Sequence, residues 1–316
     1  GIRACGVDRG MPFPMTDLAG ADVIVLVGSN PAETMPPFLQ HLQGAAARGG
    51  LVVVDPRRTP TAERANLHLA PAPGTDLALA LGVLHATVAE GLLDEAYVAE
   101  RTAGFDDMWR TVARYWPEHV ERITGVSAAD QRALAHRLAG ARNAYVLTVR
   151  GAEQHATGVD TVSAWIDVAL AHGLPGRRGS GYGCLTGQGN GQGGREHGQK
   201  ADQLPGYRTL ADPAAREHVA GVWGVEPDSL PAPGRSAYEL LDALGEAGGP
   251  KALLVFGSNV VVSAPRSQRV ADRLGALDLL VAADVVLSET AATADVVLPV
   301  TQWAEEDGTM TSLEGR

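Results

Sequence analysis

With 316 residues, 45% hydrophobic and 20% charged, the chain has ordinary globular composition and enough apolar material for a sizeable core, which excludes a disordered polymer; its 38 glycines stand well above ordinary usage. A formal charge of −11 argues against a nucleic-acid partner, whose phosphates need clustered cations. Lys200 and Lys251 are the only lysines among 26 cationic residues, so arginine dominates, the side chain suited to bidentate grip on carboxylates and oxyanions.

In chain order, Asp22 to Val27 is a short β-branched run closed by Gly28-Ser-Asn-Pro31, which predicts a buried parallel strand entering a tight turn. Leu51 to Val54 followed by Asp55-Pro56 repeats that grammar. Leu77, Leu81, Leu84 and Val88 recur at helical spacing after Thr75, and Ser127 with Asp130 predicts a helix start before Leu134 and Leu138. Ala144 to Val149 reads as a strand, Asp160 to His172 as a helix, and Ser236 with Glu239 as a capping box. Helices alternating with strands predict an α/β fold of βαβ units, with helices on both sheet faces.

One α/β unit occurs twice. Val25-Leu-Val-Gly28-Ser29-Asn30 returns as Leu254-Val-Phe-Gly257-Ser258-Asn259, and in each copy an Asp ends the next strand 27 residues after the Gly: Asp55 and Asp284. Thr61 and Thr290 stand six residues beyond each Asp, Ala65-Asn66 answers Ala294-Asp295, and Leu69-Ala-Pro71 answers Val297-Leu-Pro299. A Gly-rich turn leading from a strand into a helix presents backbone N–H groups to a pyrophosphate, and an acid at the next strand end can take a ribose hydroxyl or the N1–H and amine of guanine. The doubling suggests paired nucleotide sites; a structural turn, or a duplicated scaffold, is the alternative.

Gly74-Thr75-Asp76 reads either as a plain helix cap or as a further nucleoside contact. The glycine-rich stretch from Gly173 to Gly198 is too mixed for a flexible linker and predicts backbone shaped around something. Within it Arg195 is either a salt-bridged surface residue or a donor fork aimed at an anion. Neither lysine precedes Ser or Thr, so there is no P-loop; no Gly-x-Ser-x-Gly elbow and no His pair at i, i+4 occurs. Two cysteines make a disulfide framework implausible and the cytoplasm the simpler compartment; Cys5 and Cys184 read as inert thiols, nothing nearby in sequence supplying a base or metal partner. No apolar run approaches the ~18 residues of a membrane span.

Gly28 to Thr34, Val54 to Thr59, Pro73 to Asp76 and Leu185-Thr-Gly-Gln188 together resemble the molybdopterin oxidoreductases of the dimethyl sulfoxide reductase superfamily, over almost the whole chain. Leu185 to His197 with Leu204-Pro-Gly-Tyr207 is most similar to catalytic subunits of cytoplasmic assimilatory nitrate reductases. Formate dehydrogenases, which usually show an Ala-Cys-Asp-Met-type segment where this chain has Gly194-Arg-Glu-His197, rank second. A non-catalytic scaffold of the same fold is the third reading.

The resemblance implies two doubly wound, Rossmann-like domains with mostly parallel sheets, 1–205 and 206–316, from the central part of such an enzyme. It implies a molybdenum bis(molybdopterin guanine dinucleotide) with one arm on Gly28, Ser29, Asn30, Pro31, Ala32, Glu33, Thr34, Asp55, Pro56, Arg57, Arg58, Thr59, Gly74, Thr75 and Asp76, and the other on Asn259 and Asp284. Arg150 and Gln154 fall beside the pterin, where relatives often have Met-Gly-x-Asn-Gln, and Arg195 faces the substrate pocket; Glu306 stands where many relatives have lysine and is left out. A 4Fe-4S domain and the molybdenum-ligating cysteine are expected upstream of Gly1, and a cofactor-capping domain beyond Arg316. Nitrate is the implied substrate, with a ferredoxin, flavodoxin or NADH-linked protein as electron donor.

Overall fold

A computed structural model describes residue 4, residues 10–186 and residues 188–316. Cys5 and Gly187 lie outside the described residues. The chain forms two compact units, Gly1–Gln192 with Thr311–Arg316, and Gly193–Met310.

The first unit is built on five parallel strands, β1 (Val23–Val27), β2 (Leu51–Val54), β3 (Leu67–Leu69), β4 (Ala144–Thr148) and β5 (Gly181–Cys184), in the order β3-β2-β1-β4-β5. Register is continuous through the centre, Leu26 facing Val53 on one side and Leu147 on the other. Every residue of β1 is buried, because both faces are covered, and successive side chains feed opposite cores. Val23, Val25 and Val27 join Val52, Val54 and Leu69 beneath Leu79, Val83, Leu134, Leu138 and Trp165, which come from the helices Asp76–Ala89, Ala128–Gly140 and Gly158–Ala171. Ile24 and Leu26 join Tyr145 and Leu147 against Leu18, Phe38, Leu42 and Ala45. The covering here consists largely of 3₁₀ turns, Met15–Gly20 and Pro36–His41, the second opened by a proline pair that supplies no N–H to an α-helical ladder.

The glycine-rich stretch is indeed shaped. It contributes β5, whose Gly181 leaves room for the Phe13 ring at 2.7 Å from where a Cβ would stand, and the helix Gly191–Glu196. Ser127 caps its helix by accepting from Asp130 N at 3.0 Å.

The second unit opens with a two-stranded antiparallel ribbon, β6 (Gln203–Leu204) and β7 (Arg208–Thr209), packed with the helix Pro213–Trp223 around Leu204, Leu210, Val219 and Leu230. A three-stranded parallel sheet comes next, β8 (Ala252–Phe256), β9 (Leu279–Asp284) and β10 (Val296–Pro299), ordered β10-β9-β8. The helices Ala237–Ala243, with its capping box at Ser236 and Glu239, and Ser267–Leu274 cover one face. There Leu244, Val255, Val270, Leu274 and Leu280 form the core.

Candidate functional site

The strand order reverses between β1 and β4, so the loops leaving their carboxyl ends part company and open a crevice, the place where open α/β sheets receive ligands. Two glycines make that parting. Gly28 has φ +61°, and a Cβ on it would overlap Ala152 N and stand 2.7 Å from Gly151 Cα; a Cβ on Gly151 would stand 2.7 Å from Gly28 Cα. The two backbones touch directly, and Gly151 N donates to Gly28 O at 3.1 Å. Sequence alone marked Gly28 but not Gly151, whose need for glycine comes from a strand more than a hundred residues away.

Beyond Gly28 the loop is tied to the loop after β2. The Thr61 hydroxyl accepts from Ala32 N at 3.0 Å and donates to Asn30 Oδ1 at 2.7 Å, and the Asn30 amide donates to Glu33. The second unit repeats the arrangement: Thr290 Oγ1 accepts from Val261 N at 3.1 Å and donates to Asn259 Oδ1 at 2.9 Å, and the Asn259 amide donates to Glu289 at 2.6 Å. Gly28 N bonds Val54 O at 2.9 Å, and Gly257 N bonds Ala283 O at 2.8 Å. Leu51 N bonds Asn66 Oδ1 at 2.9 Å as Leu280 N bonds Asp295 Oδ2 at 2.7 Å. The doubled sequence is therefore a doubled hydrogen-bond network, and Thr61 and Thr290, which the sequence shows only as matched letters, are its buried pins.

The remaining residues expected on the first arm gather at the same strand ends. Asp55 is buried after β2; its carboxylate accepts from Arg57 N at 2.8 Å, and Arg57 and Arg58 are exposed beside it. Thr59 is buried and accepts from Ala62 N at 3.2 Å. Thr75 stands at the N-cap position of the helix Asp76–Ala89, yet its hydroxyl turns back to Ala72 O at 2.7 Å instead of capping. Asp76 is buried at the first turn. Desolvation holds its carboxyl above the usual range, against the pull of its own backbone hydrogen bond and of His155, while Asp55 pushes in the same direction as desolvation. His155 approaches Asp76 Oδ2 at 3.9 Å and donates to Gly151 O at 2.7 Å. A buried carboxyl held above its usual range is stabilised by ligand N–H donors.

After β4, Arg150 pairs with Glu153 at 2.7 Å and reaches Gln188 Oε1 at 3.2 Å, while Gln154 is exposed. Cys184 corrects the expectation of an inert buried thiol without a base: it is half-buried, and its S–H donates to Glu153 Oε1 at 2.7 Å. The base lies 31 residues upstream, on the turn after β4, and is reached only because β4 and β5 pair in parallel. In the second unit Asn259 stands three residues beyond β8 and Asp284 ends β9; Asp284 accepts from Val285 N at 2.8 Å and Ser288 Oγ at 2.9 Å. Arg195 is half-buried at the last turn of Gly191–Glu196.

Two buried polar groups at the first crevice lack partners within the chain. Ser29 is buried with an unpartnered hydroxyl next to Gly28, and Arg150 Nε is buried without an acceptor. Buried polar atoms without a partner are open to a ligand, an ordered water or an ion, and core atoms such as Tyr145 OH and Trp165 Nε1 share that state. Among the described residues no cluster of His, Cys, Asp and Glu could hold a metal ion, and no helix is long and apolar enough to cross a membrane.

A family model described as Molybdopterin oxidoreductase matches residues 8–316. The chain is 41% identical over 312 residues to the assimilatory nitrate reductase catalytic subunit of Bacillus subtilis (strain 168), covering 98% of this chain and 44% of that protein. It is 36% identical over 307 residues to the F420-dependent formate dehydrogenase 1 subunit alpha of Methanococcus maripaludis, with 97% and 45% covered, and 35% identical over 312 residues to the nitrate reductase of Synechocystis, with 97% and 44% covered. The chain thus spans less than half the length of these relatives. Among solved structures, acetylene hydratase from Pelobacter acetylenicus has the same fold, with TM-score 0.63 at 22% identity over 95% of this chain and 45% of that one.

Proposed function

The chain belongs to the molybdopterin oxidoreductase family, and from that premise we propose that it is the central part of an enzyme that reduces nitrate to nitrite, using a molybdenum bis(molybdopterin guanine dinucleotide). The observation that carries this reading is the doubled network: two hydrogen-bonded copies of one strand-end loop arrangement suit a cofactor with two like arms. Nitrate rather than formate is favoured by the 41% identity to an assimilatory nitrate reductase catalytic subunit and by Gly194-Arg-Glu-His197. A 4Fe-4S cluster in the longer protein and a ferredoxin, flavodoxin or NADH-linked electron donor as partner complete the proposal.

When bound, a molybdenum pterin supplies the two-electron chemistry of oxygen-atom exchange. The residues of this chain hold and orient. In the first unit the backbone N–H groups after β1, with Arg57 and Arg58, would meet the phosphates of one arm. Asp55 and Asp76 would accept from the N–H groups of its base. Asn259 and Asp284 would hold the second arm, and Arg150, aligned by Glu153 and Gln188, would lie against the pterin.

Arg195 is assigned the substrate anion. A charge-assisted hydrogen bond contributes on the order of 1.5–3 kcal/mol, so Arg195→Ala in the full-length enzyme raises the nitrate KM or lowers turnover at least tenfold. The test of the whole reading is the purified full-length protein assayed for nitrate-dependent oxidation of a reduced viologen and for formate-dependent dye reduction, with molybdenum and guanine measured per chain. Nitrate turnover with molybdenum and about two guanines supports it. Formate turnover alone moves the chain to the dehydrogenases, and absence of molybdenum and guanine overturns the cofactor.

A further inference from the structure

Resting on the guanine dinucleotide reading, we propose that Thr61 and Thr290 are positioning residues that lock Asn30 and Asn259 with their amide N–H groups outward, so that each asparagine offers the cofactor donors only. The logic is one of proton count. A threonine hydroxyl has one proton to give. Ala32 N and Val261 N can only donate, so each hydroxyl accepts there, and its one proton is given to the asparagine Oδ1, 2.7 Å away in the first unit and 2.9 Å in the second. The asparagine atom facing the threonine is therefore the carbonyl oxygen. In the second unit Thr290 N also donates to Asn259 Oδ1, at 3.2 Å, fixing the same orientation a second time.

With the oxygen turned inward, the amide N–H groups face away. In both units they are met by an exposed glutamate, and the two glutamates come from unrelated places: Glu33 sits three residues after Asn30 in its own loop, whereas Glu289 immediately precedes Thr290. Hydrogen bonding to Asn259 contributes, after the backbone, to holding the Glu289 carboxyl below its ordinary range. Two independent carboxylates recruited to the same donor show what that donor selects: an anionic or carbonyl oxygen. A phosphate or carbonyl oxygen of the cofactor meets that selection. The pins themselves are out of reach of any ligand, Thr61 being 0% and Thr290 1% exposed, so their influence on binding runs through the asparagines.

The experiment uses the full-length protein isolated with its cofactor and compares Thr61→Val with Thr61→Ser, and Thr290→Val with Thr290→Ser. Valine keeps the shape but frees the amide to turn its oxygen outward; serine keeps the hydroxyl. The readouts are guanine nucleotide retained per chain after extensive buffer exchange, and the unfolding midpoint with and without cofactor. Each valine variant is expected to lose cofactor at least tenfold faster than wild type, each serine variant within twofold, and the cofactor's stabilising shift should shrink only in the valine variants. Where a valine variant does not fold, Asn30→Asp or Asn259→Asp decides, since it keeps the threonine bond but replaces the outward donors with an acceptor; it should lose cofactor as fast. Unchanged retention in the valine or aspartate variants, equal loss in the serine variants, or an equal fall of both midpoints overturns the lock. Wild-type protein that yields no guanine overturns the cofactor reading itself, and the lock with it.

Discussion

Val25 and Leu254 hold the same place in two copies of one unit, yet Val25 is fully buried and Leu254 is 59% exposed. The difference runs across the sheet. Val23, Val25 and Val27 lie under the helices Asp76–Ala89 and Gly158–Ala171, whereas Ala252, Leu254 and Phe256 face outward, and nothing among the described residues of their own unit covers them. β1 is paired on both sides; β8 is an edge. The crevice network is nevertheless the same in both units. Strand ends, pins and clamped asparagines are thus set within the repeated unit, while burial of the sheet face in the first copy is set by the long helices that come after β3 and β4.

The sharpest way to break this comparison is at the paired glycines. Gly28→Ala meets both a left-handed backbone and the direct contact with Gly151 and Ala152, and should destabilise the chain by roughly 3–5 kcal/mol; Gly257→Ala has φ +54° but open space around it and should cost only about 1–2 kcal/mol. Urea unfolding of both variants checks this, and equal costs would show that the first crevice is not backbone-packed. Next come the homologous strand residues. Val25→Ser leaves a cavity and an unpaired hydroxyl and should cost about 3 kcal/mol, against within about 0.5 kcal/mol for Leu254→Ser. A Leu254→Ser cost matching that of Val25→Ser means the second sheet face is covered in solution.

Much of this was legible from residues alone. The β-branched run closed by Gly-Ser-Asn located β1 to within a residue, its repeat pointed to β8, and Ser127 and Ser236 marked their helix starts, because these signals act over four or five positions. What escaped depends on strand order. That Gly28 needs Gly151, that Cys184 finds Glu153, and that His155 bridges Gly151 and Asp76 all stem from β4 lying beside β1, which no local pattern states. The doubled letters Thr61 and Thr290 were visible, but their work as pins required knowing which atoms face them.

Acid separates the units as well. His172 is buried in the first unit, its ring nitrogen 3.1 Å from the Thr87 hydroxyl, and desolvation pushes its imidazole down to about 4 although the Asp94 carboxylate pulls the other way. Because the folded value lies below that of the unfolded chain, the unfolded state binds the proton first. Stability present above pH 6.5 is therefore lost as pH falls towards about 4, by up to about 3 kcal/mol, and is flat below. The histidines of the second unit, His197 and His218, are exposed to solvent instead. Amide exchange at pH 7 and pH 4.5 should show the helices Asp76–Ala89 and Gly158–Ala171 loosening; a His172→Gln variant with the same pH dependence would refute the assignment.

The smallest effect is also the most local. Ser127 Oγ accepts from Asp130 N at 3.0 Å, and Ser236 Oγ accepts from Glu239 N at 3.3 Å while the Glu239 carboxylate accepts from Ser236 N at 2.9 Å. Each Ser→Ala replacement removes one acceptor from the first turn and should cost about 1 kcal/mol. The helices behind the caps differ, however: Ala128–Gly140 anchors Leu134 and Leu138 in a core, whereas Ala237–Ala243 is seven residues long and has no fully buried side chain. A helix that short gains little from propagation, so losing its cap should speed exchange of its amides more than in the longer helix even when the global costs match. Equal protection loss in both helices would mean that tertiary cover contributes no more to the first copy than to the second, contrary to the burial of Val25 and the exposure of Leu254.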